Sequence, residues 1–205
     1  MNASAFYPLL MFTFVYSITP GPNNMLLAAS GAAFGYRRSL PHMLGVSLGA
    51  ALMLLVVGCG LCTVFERVPH LHTALKYFGA AYLVWLAWCI ARSGNAGNHR
   101  PAPKPLCFWQ GMALQWINPK TWVMAVGIAA TYTPRDGYFL HLLLAGVLLI
   151  LVSFPSISVW TLFGQCVACT LRSPAAIHRF NRTMAALLLV SLYPFVVEIW
   201  DCLCG

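Results

Sequence analysis

Long apolar segments alternate with short polar stretches along the whole chain. The apolar segments are residues 6–29, 40–65, 71–90, 106–132, 138–167 and 183–200, and the polar stretches are 35–39, 66–70, 93–105, 133–137 and 172–182. Each apolar segment approaches or exceeds the roughly 20 residues that a helix needs to cross a bilayer. The pattern predicts an all-α integral membrane protein with six transmembrane helices.

The longest polar stretch, 93–105, divides the chain into two sets of three predicted helices. Because each set contains an odd number of helices, the second set has to insert upside down relative to the first, which is the arrangement of an inverted repeat. We therefore predict one transmembrane domain over residues 1–205, built from the halves 1–92 and 106–205 and a cytoplasmic linker at 93–105.

Each half opens with an apolar segment that proline interrupts near its middle. Residues 19–24 read TPGPNN, and residues 118–120 read NPK. Proline removes a backbone donor and clashes with the preceding turn, so both helices should break, and the freed carbonyl groups need partners or a water-filled cavity. Prolines also kink many membrane helices without contacting a ligand. Paired interruptions in two halves nevertheless indicate the central site of a transporter, to which we assign Pro20, Gly21, Pro22, Asn23, Asn24, Gln115, Asn118, Pro119 and Lys120.

Lys120 is the basic residue that lies deepest inside an apolar segment. At the rise of an α-helix it lies about 20 Å from the start of that segment. A lysine at such depth is costly unless it faces a cavity or a partner, so its expected role is to bind a substrate carboxylate. The alternative is that its long side chain reaches the interface or caps the carbonyls freed by Pro119. Gln115 lies three residues before Asn118, which helical spacing places on the same face.

The net charge of +8 raises the question of nucleic-acid binding, which composition and the placement of the charges answer. The chain is 60% hydrophobic and only 8% charged, with a mean hydropathy of +0.75. Its basic residues lie mostly between the apolar segments, which is typical of membrane topology. The predicted loops after helices one, three and five contain eight basic residues: Arg37, Arg38, Arg92, Arg100, Lys104, Arg172, Arg179 and Arg182. The opposite side of the membrane has three: Arg67, Lys76 and Arg135. The odd-numbered loops are therefore predicted in the cytoplasm, and both termini in the periplasm.

The remaining polar and small residues carry weaker signals. Two C-x-x-C pairs, Cys59 with Cys62 and Cys166 with Cys169, leave open a thiol-disulfide electron carrier, although they are expected near opposite membrane faces. Among groups that could exchange protons, only Glu198 and His141 lie close enough to the predicted bundle to be candidates. Gly31, Gly35, Gly45 and Gly49 have the spacing of close helix packing. No ligand cluster, cofactor motif or catalytic arrangement is evident, so we expect no metal, no cofactor and no enzyme activity.

Several sequence blocks together resemble the LysE/RhtB family of amino-acid exporters, which are small bacterial inner-membrane proteins. They are SITPGPNN at 17–24, GYR at 35–37, GVSLG at 45–49, GAAYLVWLAW at 79–88 and LQWINPK at 114–120. The resemblance implies efflux of amino acids driven by the proton gradient, through a pathway around the two broken helices. Within the family the chain looks most similar to the cysteine and O-acetylserine exporters, followed by the homoserine and threonine exporters.

One departure from that expectation concerns acidic residues. The bundle core contains none that could pair with the ammonium of an amino acid or accept a proton. A basic substrate would therefore bring a second cation close to Lys120 without a partner, so a neutral amino acid is the expected cargo. The expected partners are the amino acid, protons and the lipid bilayer, with no nucleic acid; an uncoupled solute channel and a homodimer remain open.

Overall fold

The computed structural model describes residues 3–61, 69–92, 104–134, 136–170, 173–191 and 193. Within these ranges the secondary structure is entirely helical. The helices are α1 (Ala3–Ile18), α2 (Pro22–Phe34), α3 (Tyr36–Val56), a π-helical turn (Val57–Leu61), α4 (Pro69–Arg92), α5 (Phe108–Ile117), α6 (Pro119–Thr131), α7 (Tyr138–Thr170) and α8 (Pro174–Val190).

Both prolines that open a helix lie where their chemistry favours it. The first apolar segment forms α1 and α2, and Pro22 is the first residue of α2. The fourth forms α5 and α6, separated at Asn118, and Pro119 is the first residue of α6. Proline is well tolerated in the first helical turn because its missing N–H would have no partner there in any case. Each predicted interruption is thus the end of one helix and the start of another.

Among the residues that the structure describes, two helices are long and apolar enough to cross a membrane, Tyr36–Gly60 and Tyr138–Thr170. Shorter apolar helices cover Phe6–Ile18 and Ala80–Arg92. The outer surface of α7 exposes large apolar side chains along its length, including Phe139, Leu143, Leu151 and Val159. Contiguous apolar surface of this kind is expected where a protein contacts lipid.

The structure corrects two of the predicted loops. Residues 35–39 are reduced to Gly35 alone, whose φ of 78° suits a glycine, and α3 begins at the next residue. Residues 174–182 are helical although the sequence predicted a loop over 172–182, because α8 begins at Pro174 and runs through them. The polar residues there lie on an amphipathic helix: Arg179 and Arg182 are exposed, whereas Ala185 and Leu188 are buried. Hydropathy alone misses a helix that is polar on one side.

Glycines allow two pairs of helices to meet backbone to backbone. A Cβ atom added to Gly31 of α2 would overlap the carbonyl oxygen of Thr161 in α7, and one added to Gly164 of α7 would overlap that of Ala28 in α2. On the other side of the bundle, a Cβ atom on Gly45 of α3 would overlap the carbonyl oxygen of α5 residue Phe108. Small residues at such crossings give membrane helices their dispersion contacts. Gly31 and Gly45 thus have the packing role that their spacing predicted.

Candidate functional site

The two helix breaks lie side by side and surround a cavity of about 50 Å³. Of the nine residues assigned to a central site from the sequence, six line this cavity: Gly21, Asn23, Asn24, Gln115, Asn118 and Lys120. The three prolines, Pro20, Pro22 and Pro119, do not line it; they set the positions of the breaks. The structure therefore brings together polar side chains from both halves of the chain.

The end of α1 presents three consecutive carbonyl groups that have no helical partner. Asn24 Nδ2 donates to the carbonyl oxygens of Ser17 at 2.9 Å and of Thr19 at 2.8 Å. The indole nitrogen of Trp160, from α7, donates to that of Ile18 at 2.9 Å. Carbonyl groups without a helical partner at membrane depth have to be satisfied in this way. These side chains hold the end of α1 open.

Lys120 joins the second break to the first. Its Nζ donates to the carbonyl oxygen of Thr19 at 2.6 Å, so the ammonium caps the carbonyl at the other break rather than one beside Pro119. A Cβ atom on Gly21 would lie 3.0 Å from Lys120 Cδ, so the glycine leaves room for the lysine stem. The Nζ atom also lies 5.7 Å from the ring centroid of Tyr16, within cation–π range.

A hydrogen-bonded group of amides connects α2 with α5 and α6. Asn23 Nδ2 donates to Gln115 Oε1 at 2.8 Å, and the Thr121 hydroxyl donates to the same oxygen at 3.1 Å. Gln115 Nε2 donates to the carbonyl oxygen of Gly111 at 2.9 Å, and Asn118 Oδ1 accepts from the backbone N–H of Lys120 at 3.1 Å as the N-cap of α6. Gln115 and Asn118 are almost fully buried. These bonds fix the side chains around the cavity.

Charge at the site is unbalanced in the described part of the chain. Of the four acidic residues in the sequence, only Asp136 lies within the described residues, and it is exposed beyond the end of α6. Within the described residues, the positive charge of Lys120 is therefore balanced by carbonyl dipoles, and no carboxylate lies beside it. Such a group attracts an anionic ligand that can replace the carbonyl.

Four polar residues at the cavity were not predicted as site residues: Tyr16, Ser17, Thr121 and Ser153. Trp160, which bonds the end of α1, was also missed. Only Ser17 carried a signal, since it is the first residue of the SITPGPNN block at 17–24. The others lie on apolar stretches whose inward face becomes known only from the packing.

One of the two predicted proton-coupling residues, His141, lies away from the central cavity. His141 is in the first turn of α7, where its Nδ1 lies 3.1 Å from the carbonyl oxygen of Gly137, and it does not line the central cavity. Glu198 lies outside the described residues. Cys59, Cys166 and Cys169 are exposed and free, whereas Cys62 is outside the described ranges. The described part of the chain contains no group of three or more His, Cys, Asp or Glu residues that could hold a metal ion.

Comparison with known proteins decides the family. A family model described as LysE type translocator matches residues 14–195, which includes both helix breaks. The chain belongs to the LysE family.

Characterised relatives of this LysE-family protein are described as cysteine/O-acetylserine efflux proteins. The one from Salmonella typhi is 32% identical over 169 residues, covering 80% of this chain and 83% of the relative. The one from Escherichia coli K12 is 33% identical over 158 residues, covering 75% and 79%, and that from Klebsiella pneumoniae is 35% identical over 133 residues, covering 65% and 66%. No solved structure matches the chain significantly. The family membership establishes a membrane protein and a translocator.

Proposed function

We propose that this LysE-family protein exports small neutral amino acids or close derivatives across the bacterial inner membrane in exchange for protons. The substrates are of the cysteine and O-acetylserine kind or of the homoserine and threonine kind. The observation that carries the proposal is the Lys120 ammonium, which crosses from the second helix break to the Thr19 carbonyl of the first without a described carboxylate beside it. The names of the relatives support the substrate class.

An amino acid fits this site through its two charged groups. Its carboxylate would replace the Thr19 carbonyl on Lys120, because an anion interacts with an ammonium more strongly than a neutral carbonyl does. The carbonyl that is released retains its hydrogen bond from Asn24 Nδ2. The substrate ammonium would in turn be received by the carbonyl oxygens at the end of α1. Both charges of a zwitterion are thus matched, whereas a basic side chain would have no acidic partner.

The size of the cavity indicates how the site has to change. At about 50 Å³, it has room for only a few water molecules, since a cavity needs about 10–15 Å³ to hold one. An amino acid can enter only when the end of α1 and the start of α6 separate. We propose that rupture of the Lys120–Thr19 hydrogen bond accompanies this opening, and that the site then faces one side of the membrane at a time.

The proposal includes six spans arranged as an inverted repeat, with cytoplasmic odd-numbered loops and periplasmic termini. Its structural support is the pattern of helix contacts. The broken pair α1–α2 of the first half packs on α7 of the second, and the broken pair α5–α6 of the second half packs on α3 of the first. An inverted repeat would produce these reciprocal contacts. The distribution of basic residues supports the orientation.

Efflux from cells tests the proposal. Cells that overproduce the protein and cells with an empty vector are loaded with labelled cysteine, O-acetylserine, threonine, homoserine, leucine or lysine, and loss of label is followed with and without a protonophore. We expect faster, protonophore-sensitive loss of one or two of the neutral amino acids. Fast loss of label that is the same with and without the protonophore would indicate an uncoupled channel. If every amino acid is lost at the rate seen with the empty vector, the proposal is contradicted.

A thiol-disulfide electron carrier is tested in the same cells. A variant with Cys59, Cys62, Cys166 and Cys169 all replaced by serine should export at the wild-type rate, because the three of these residues that the structure describes, Cys59, Cys166 and Cys169, do not line the central cavity. Loss of export together with normal protein levels would favour the electron carrier.

A further inference from the structure

His42 lies in α3 and is completely buried, with 0% of its surface exposed. Neither of its ring nitrogens has a hydrogen-bond partner. Buried polar groups in native proteins are nearly always hydrogen-bonded, so an imidazole with two unpaired nitrogens calls for a functional explanation. The ring is neutral in this arrangement, because an unpaired imidazolium buried in a membrane protein would be strongly destabilised.

The position of His42 links it to the central site through two helices. One turn further along α3, about 6 Å by the helical rise, Val46 lines the central cavity. Across the helix crossing, a Cβ atom on Gly111 of α5 would lie 3.0 Å from His42 Cδ2 and 2.6 Å from the His42 carbonyl oxygen. The Gly111 carbonyl in turn accepts the hydrogen bond from Gln115. A shift of α3 against α5 would therefore change the surroundings of His42 and of Gln115 together.

A second cavity borders His42 between α2, α3 and α4. It has a volume of about 250 Å³, enough for several water molecules. Its polar groups are few: the Ser30 hydroxyl, which shares a hydrogen bond with Ser39, and Lys104. The titratable or charged residues that line it together with His42 in the described part of the chain are Cys89 of α4 and Lys104, which precedes α5. Lys104 belongs to a loop that is predicted to be cytoplasmic, so this cavity would connect the ring to cytoplasmic water once the helices around His42 separate, although the ring is shielded from water in the arrangement described here.

We propose that His42 is the proton-binding site of the exchange. The inference rests on the proposed antiport function. In the state that faces the periplasm, the lone pair of one ring nitrogen accepts a proton from water and forms an N–H bond. In the state that faces the cytoplasm, that N–H bond breaks, the proton passes to water in the second cavity, and the neutral ring remains.

The coupling follows from packing. The helix contact at Gly111 can close only around a neutral ring, because a buried charge without a partner is costly. Proton binding therefore favours states in which α3 and α5 are apart, and proton release allows the arrangement described here. His141, in contrast, lies at the start of α7, with Nδ1 close to a carbonyl oxygen.

Two transport measurements in vesicles separate proton coupling from substrate binding. The purified protein is reconstituted and given labelled cysteine with a reductant. The first assay follows exchange of labelled for unlabelled cysteine at equal pH on both sides. The second follows accumulation of cysteine into vesicles that are one pH unit more acidic inside, which drives about a tenfold accumulation for one-to-one exchange.

The test variant is H42Q, which keeps a polar side chain that does not titrate. We expect exchange at the wild-type rate and loss of the pH-driven accumulation. The matched control is H178Q in α8, which removes another histidine with an unpaired Nδ1 and should retain both activities. If H42Q is not monodisperse, the smaller H42N replaces it.

Each other outcome has a definite meaning. Accumulation by H42Q at the wild-type level would overturn the inference and leave the antiport proposal intact. Loss of exchange in both H42Q and H42N would make His42 a residue of folding or substrate binding and would also overturn it. Exchange without accumulation in the wild-type protein would contradict the proposed antiport itself, and the assignment of His42 would be withdrawn with it.

Discussion

Replacing Lys120 with methionine removes the ammonium that we propose binds the substrate carboxylate. Methionine has nearly the same length, so the stem that packs beside Gly21 keeps its volume. The Thr19 carbonyl loses the lysine but retains the hydrogen bond from Asn24 at 2.8 Å. The sulfur can pack favourably near the ring of Tyr16. The substitution therefore removes a charge from the cavity without leaving a carbonyl unpaired.

The size of the effect follows from the bond that is lost. A hydrogen bond to a charged group contributes about 1.5–3 kcal/mol. Since each 1.4 kcal/mol corresponds to a factor of ten, the cysteine concentration for half-maximal exchange should rise by roughly ten- to 150-fold. The free energy of unfolding should change little. The variant loses the hydrogen bond of the ammonium, but it also avoids the free-energy cost of burying that charge. We expect a shift in Tm of less than about 4 °C, which corresponds to about 1 kcal/mol or somewhat more for a chain of this size.

The assay is exchange of labelled cysteine in vesicles over a range of cysteine concentrations, with Tm measured on the same purified protein. Arg182→Met is the control, because it removes a positive charge from an exposed position of α8 and should change neither quantity. An unchanged half-saturating concentration for Lys120→Met would refute the carboxylate-binding role. A large fall in Tm together with weaker exchange would show that the lysine mainly holds the two helix breaks together.

Three further predictions concern the packing and the hydrogen bonds around the site. Gly164→Ala should lower the free energy of unfolding by about 1–3 kcal/mol because its Cβ atom would overlap the backbone of α2. Gly146→Ala in the same helix, where the Cβ atom would lie 3.7 Å from the nearest side-chain atom, should be neutral or stabilising. The two variants are compared by thermal unfolding in detergent, and equal Tm values would contradict the contact at Gly164. Gln115→Leu leaves the buried Thr121 hydroxyl and the half-buried Asn23 amide without their acceptor. It should cost about 1–3 kcal/mol and weaken cysteine exchange, so unaltered exchange would exclude the amide from the site. Trp160→Phe removes the bond to the end of α1 and should cost about 0.5–1.5 kcal/mol; Trp109→Phe, at a residue that is 71% exposed, should have the same Tm as the wild type.

The positions of the helix breaks could be predicted because they depend on local chemistry. Pro20, Pro22 and Pro119 disfavour continuation of a helix through the preceding turn, and each lies next to a glycine or an asparagine. Pro8, Pro41 and Pro155, in contrast, lie inside helices that continue through them. The start of α8 was predicted wrongly because its first turns are amphipathic and a hydropathy profile averages their two faces. Strong local signals thus gave correct boundaries, and mixed ones did not.

The contacts of the site could be predicted only in part. That Lys120 needed a partner followed from its depth, but the partner is a carbonyl 101 positions away along the chain, and main-chain carbonyls look alike in a sequence. Trp160 bonds a residue 142 positions away and resembles any aromatic residue of a membrane helix. The tertiary packing that creates such pairs depends on many side chains at once.

The glycine contacts also determine which parts of the molecule can move together. Gly164 joins α7 to α2, and Gly45 joins α3 to α5, so both of the tight crossings connect one sequence half with the other. Dispersion between atoms in direct contact falls steeply with separation, so such crossings resist partial loosening. In the proposed transport cycle, α2 and α7 would then move as one unit that combines both sequence halves, whereas the α3–α5 crossing is the one that opens when His42 binds a proton. The helices that are held together are thus not neighbours along the chain. A fragment that corresponds to one half would lack the surface against which its own helices pack.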